Sequence, residues 1–135
     1  MKDVCQNDNE PEASARKKYL FERNEGSMGK PGVKRVGYLV GTRKCGGAPP
    51  SSSRVYARDA KCTTIIAGGG GRHNLIESQC GKYARELTIT ECERLFGLAD
   101  GATAMPGASN TLRRTLLGSG FIPDMVAFLI AQSPL

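Results

Sequence analysis

The chain has no tryptophan, a single histidine (His73) and no Cys-x-x-Cys pair among its five cysteines. Structural zinc sites draw on closely spaced Cys and His pairs, so these absences argue against a zinc-centred fold. The cysteines are Cys5, Cys45, Cys62, Cys80 and Cys92. Their odd number, together with the lack of a secretory signal, points to reduced thiols and a cytoplasmic location. No apolar run reaches the roughly 18 residues of a membrane span, so no membrane partner is expected. The apolar run 121–131 has the length of a core helix.

What is present is turn chemistry and positive charge. Seventeen glycines and seven prolines in 135 residues predict many turns, and a hydrophobic content of 39% predicts a small core. This length suits one domain and is too short for a doubly wound cofactor domain joined to a DNA-reading one. The net charge of +6 is concentrated: residues 1–58 hold 12 Lys/Arg against 6 Asp/Glu, while residues 59–135 hold 7 of each. Four of those N-terminal acids lie in the first twelve residues, leaving 11 bases and 2 acids over residues 13–58. So dense a positive field favours a polyanion, because each phosphate neutralised releases counterions. The blander alternative is a solvated basic face.

Residues 1–15 are polar and aperiodic, as in a disordered lead-in. Arg16–Phe21 mixes bases and aromatics and is read as the start of a short helix ending near Gly26. Lys34–Val40 alternates and reads as a strand. A Gly-, Pro- and Ser-rich loop (41–53) follows. Then come two short strands, Arg54–Ala57 and Cys62–Ala67, joined by a turn at Arg58-Asp59-Ala60 as a hairpin. Four glycines and a loop to about Tyr83 complete this half.

The last third is helical by its punctuation. Thr88 and Glu91 form a capping box, and Ile89, Cys92, Leu95 and Phe96 fall on one face before Gly97 stops the helix. Ser109 or Asn110 caps a second helix through Leu117, and Phe121 opens a third with Pro123 in its first turn. The expected fold class is α+β. A small twisted β-sheet/hairpin recognition region over 16–85 is followed by about three C-terminal helices over 86–135.

The glycine run at Gly68–Gly71 is not a nucleotide-binding fingerprint. Counted from Gly68, the last glycine position of GxGxxG is occupied by His73, and no Lys-Ser or Lys-Thr follows. Taken alone it is a flexible turn, or a place where a ligand approaches backbone closely.

Three stretches carry a resemblance that changes this reading. They are Arg54-Val55-Tyr56 followed by Lys61-Cys62-Thr63-Thr64-Ile65-Ile66-Ala67 and the four glycines, then Glu86-Leu87-Thr88-Ile89-Thr90-Glu91-Cys92-Glu93-Arg94-Leu95-Phe96-Gly97, and then Leu116-Leu117-Gly118 with Phe121–Leu129. In this order they resemble the C-terminal end of the DNA cytosine-5 methyltransferases. The resemblance implies two recognition loops entering the major groove of double-stranded DNA. Arg43 and Lys44 would make base or phosphate contacts from the first, and Arg54 would pair with a guanine edge. Tyr56 belongs to the same motif, Thr64 would contact a phosphate, and Gly68, Gly69, Gly70 and Gly71 would let the second loop approach the bases. Arg54 also has an ordinary alternative, a surface ion pair with Asp59. Arg94 would be an orienting residue. Gly118-Ser119-Gly120 departs from the family's Gly-Asn pair at the S-adenosylmethionine pocket, where Ser119 would keep one hydrogen bond to the cofactor.

The family's catalytic parts do not occur in this sequence. No cysteine follows a proline, no Glu-Asn-Val is found, and the Phe-x-Gly-x-Gly cofactor loop is missing. Attack on a flipped cytosine needs a thiolate and a carboxylic acid, so a partner chain would have to supply both, with the S-adenosylmethionine site. The expectation is the recognition subunit of a two-chain methyltransferase, a heterodimer serving for instance restriction–modification and inactive alone. Its last helix would dock on the catalytic subunit and show an exposed apolar face in the isolated chain. An inactive remnant and a stand-alone basic nucleic-acid-binding protein are the alternatives.

Overall fold

Among the described residues, five short strands form one mixed sheet in chain order and three α-helices follow, an α+β architecture. A computed structural model of the chain describes residues 18–27, 32–41, 50–67 and 74–132. The expected lead-in, 1–15, lies outside the described residues. The strands are β1 (Phe21–Ser27), β2 (Lys34–Leu39), β3 (Arg54–Tyr56), β4 (Leu75–Glu77) and β5 (Ala84–Glu86). The helices are α1 (Ile89–Leu95), α2 (Asn110–Ser119) and α3 (Pro123–Gln132). Adjacent strands pair antiparallel except β3 and β4, which are parallel. The sheet curls until Tyr19, just before β1, exchanges two 2.8 Å backbone hydrogen bonds with Ala84 of β5. Inside the curl, Val36, Leu39, Val55, Ala57, Leu75 and Ala84 form one core, flanked by Tyr19 and Phe21.

Two expected elements come out differently. The segment expected to begin a helix is strand β1, paired with β2 from Phe21↔Leu39 to Ser27↔Lys34. A helix this short is marginal in water, and the neighbouring strand offers a full set of backbone partners. Cys62–Ala67 is irregular, and the hairpin with β3 does not form; β3 lies between β2 and β4. Asn74 takes over the polar groups of this segment. Its amide nitrogen donates to the Thr63 hydroxyl (2.7 Å) and the Thr64 carbonyl (2.9 Å), and its oxygen accepts from the Ile66 N–H (3.2 Å). The stretch expected as a loop to about Tyr83 contains β4, and β5 follows directly after it.

The helices start where the sequence marks them. Thr88 caps α1, accepting from the Glu91 N–H, while the Glu91 carboxylate accepts from the Thr88 N–H at 2.8 Å. Ser109 caps α2 through the Leu112 N–H. A second core of Ile65, Ile76, Leu87, Cys92 and Leu117 fastens α1 and α2 to the sheet. Helix α3 does not join either core. All of its residues are exposed, with Phe128 at 62% and Ile130 at 67%. The core helix suggested by length is therefore uncovered in this chain, and the exposed apolar face expected of a docking helix is present.

Candidate nucleic-acid interface

A bulge in β2 decides which side chains share the outer face of the sheet. Arg35 pairs with Tyr56, Gly37 with Val55 and Tyr38 with Arg54, so Val36 and Gly37 together oppose one residue of β3. This extra residue re-phases the strand. Val36 and Leu39 turn into the core, and Arg35 and Tyr38, three apart in sequence, come to one face. Opposed residues of an antiparallel pair project to the same side, which adds Arg54 and Tyr56. The Arg35 guanidinium stacks on the Tyr38 ring at 4.6 Å. Gly37 is sterically required at this bulge, since a Cβ there would collide with the Glu22 carbonyl oxygen of β1. The result is two arginines and two tyrosines on one half-buried patch. Arg54 forms no ion pair with Asp59 among the described residues, and its buried Nε has no hydrogen-bond partner there.

Strand direction places the end of β2 and the starts of β3 and β4 at one end of the sheet. In the sequence, β3 starts after residues 42–49, and β4, parallel to β3, starts after residues 68–73. Arg54 and Tyr38 are the paired residues nearest this end. Asn74, at the start of β4, ties the approach to the second segment to its exit. Thr64 is exposed, its carbonyl held by Asn74. Arg43, Lys44 and Gly68–Gly71 lie outside the described residues. Of the sequence-selected residues, Arg54, Tyr56 and Thr64 thus stand on the sheet or at its end. Ser119 is separate, exposed at the last position of α2.

Behind this end, buried charges lock the helical part. Arg85 of β5 makes a bidentate pair with Glu91 (2.9 and 2.8 Å), both side chains fully buried. Arg114 of α2 reaches the Leu87 carbonyl at 2.8 Å. Glu93 accepts from the Thr103 hydroxyl and N–H, the Gly101 N–H and Arg113. Burial pushes the Glu93 carboxyl up, but these donors outweigh it and hold the group below the ordinary glutamate value. Arg94 forms a bidentate pair with Asp100 (2.8 and 2.6 Å), holding the Asp100 carboxyl below its ordinary range. Sequence reasoning missed the roles of Asn74, Arg85, Glu93 and Arg114. Only the capping position of Glu91 hinted at this network.

A groove of about 510 Å³ runs between residues 62–65 and the α2–α3 junction, lined by Ile65, Leu95, Phe96, Gly118, Ile122 and Met125 among others. Ser119 lies between two of its lining residues, Gly118 and Gly120. The hydrogen bond with Ser78 pulls the exposed Cys80 thiol below its ordinary value, but Cys80 sits in the β4–β5 turn at the opposite end of the sheet. Among the described residues no group of three His, Cys, Asp or Glu is placed to hold a metal ion. Scanned against protein-family models, the chain has no match, and no curated protein matches it.

Proposed function

We propose that this chain is the target-recognition subunit, or C-terminal fragment, of a DNA cytosine-5 methyltransferase. It binds double-stranded DNA while a catalytic partner carries the S-adenosylmethionine site and the cysteine nucleophile. The observation that carries the reading is that β2 ends, and β3 and β4 start, at one end of the sheet beside Arg54, and these strand ends flank the two glycine-rich segments in the sequence. Two loops leaving one edge together can enter one major groove, and Arg54 at their base has the donor fork that matches a guanine. The order of the three family-like stretches supports the same reading, as does the uncovered α3, an apolar surface suited to docking on a catalytic subunit. Ser119 would meet the cofactor at the edge of the groove only in that complex, and the pair would work in the cytoplasm.

Counted together, α2 and α3 (Asn110–Gln132, 23 residues) are long and apolar enough to cross a membrane by length and composition. Arg113 and Arg114, tied to Glu93 and to Leu87, fasten α2 to the rest of the chain and favour a protein partner over a bilayer. The test is methyl transfer from labelled S-adenosylmethionine to DNA, with this chain alone and with the product of the adjacent gene. Transfer only in the mixture supports the split enzyme. No transfer in either sinks it and leaves an inactive remnant or a stand-alone binder.

A further inference from the structure

The outer face of β2 and β3 extends away from the loop end, and its composition is that of a phosphate-binding surface. Arg54 and Tyr38 lie at the loop end, and Arg35 and Tyr56 lie one step along. The next step, where the Ala57 N–H donates to the Lys34 carbonyl at 2.9 Å, turns to the core, so the outer face carries one arginine and one tyrosine at each of these two steps. Stacking on Tyr38 holds the Arg35 guanidinium on this face. The buried, unpartnered Nε of Arg54 carries a desolvation penalty that an incoming acceptor would relieve. The face is bounded on both sides. Glu22 of β1 stands opposite Tyr38, and Ile76 of β4, opposite Tyr56, belongs to the second core.

We propose that Arg35, Tyr38 and Tyr56 form, with Arg54, a rail that grips the phosphate backbone of duplex DNA while the loops read its bases. This rests on the DNA-recognition reading above and adds a second, sequence-independent contact surface to it. Duplex backbone is the occupant because a strip of cations spaced along a strand pair complements a line of phosphates. The strong positive balance of residues 13–58 points the same way.

The test is fluorescence anisotropy of the full chain with a labelled random-sequence duplex of about two helical turns, titrated from 50 to 200 mM salt. Arg35→Gln is expected to lower the magnitude of the slope of log K against log salt by about 0.9, so that its affinity falls about threefold less than the parent's over that range, equally on all duplexes. Arg35→Lys keeps the slope, and Glu22→Gln tightens binding. Tyr38→Phe, which preserves the stack, weakens binding without changing the slope. A purely structural Arg35 would move the melting temperature but not the slope. An unchanged slope in Arg35→Gln that melts like the parent overturns the rail. So does a Glu22→Gln chain without tighter binding, should Arg35→Gln fail to fold. The methylation assay fails or succeeds independently. Transfer in the mixture with an unchanged slope removes only the rail, and a lowered slope without transfer removes only the methyltransferase assignment.

Discussion

Gly118 of α2 lies so close to Ala67 that a Cβ added to it would stand 2.5 Å from both the Cα and the N of Ala67. The helix and the irregular segment 62–67 touch backbone to backbone, which closes one wall of the groove. In an ordinary helix interior, Gly→Ala gains up to about 1 kcal/mol. Here the clash is with backbone that Asn74 holds in place, so overpacking of about 1–3 kcal/mol should win. Gly118→Ala is expected to be destabilising in urea unfolding. A stabilised variant would mean that the close approach does not exist.

The Arg85–Glu91 pair makes a second prediction. Arg85→Met leaves the Glu91 carboxylate buried with its main cation gone, and should cost about 3–5 kcal/mol. Adding Glu91→Gln removes the orphaned charge and keeps an N3 residue able to complete the capping box. The double variant should therefore be more stable than Arg85→Met alone, as read by chemical denaturation. A double variant no better than the single one would show that the pair is not the source of the loss.

Glu93 sets an acid limit. Its folded-state value lies below the ordinary 4.5, so its contribution is fully present above that value. As the pH falls below 4.5 the contribution shrinks, and it is lost as the pH passes through the lowered folded-state value. Glu93→Gln cannot satisfy all four donors, should cost about 1–3 kcal/mol at neutral pH, and should flatten the acid limb of the stability curve. Melting temperatures from pH 3 to 7 check this, and an acid limb of unchanged steepness would count against it.

The uncovered α3 predicts association. Phe121 is 83% exposed, and Met125, Phe128 and Leu129 are exposed with it. The double variant Phe128→Ser, Leu129→Ser should leave the melting temperature nearly unchanged, because neither residue belongs to a core. It should also abolish co-elution with the catalytic partner in gel filtration. Retained co-elution would place docking elsewhere on the chain.

Arg54 predicts a change in specificity. Arg54→Glu should reduce sequence-specific binding, and the neutral Arg54→Gln should lower discrimination at one guanine by about 1–3 kcal/mol. Competition between cognate and mutated duplexes measures it. Equal discrimination in the parent and in Arg54→Gln would remove the base-reading role.

The local signals were legible for a simple reason. Thr88 with Glu91, Ser109 and Pro123 act within one helical turn, so the starts of α1, α2 and α3 follow from residues three or four apart. The alternation of Lys34–Leu39 and the shortness of Arg54–Tyr56 likewise reveal β2 and β3. The candidate Arg54 could be picked from its motif, but its neighbours on the face could not. Arg35 and Tyr38 are an odd number apart, and strict alternation would send them to opposite sides.

What the sequence determined by itself was the three C-terminal helices, two of the strands, the surplus of positive charge in the first half and the family-like order of motifs. The tertiary structure decided the rest. It made Phe21–Ser27 a strand, left Cys62–Ala67 irregular under the Asn74 amide, and added β4 and β5. It turned Arg35 and Tyr38 to one face through the Gly37 bulge and left α3 uncovered. Helix caps are settled by near neighbours, whereas strand pairing, bulge phase and the burial of Arg85, Glu93 and Arg114 depend on partners far along the chain. Those partners become neighbours only when the sheet has curled and α1 and α2 have closed over it.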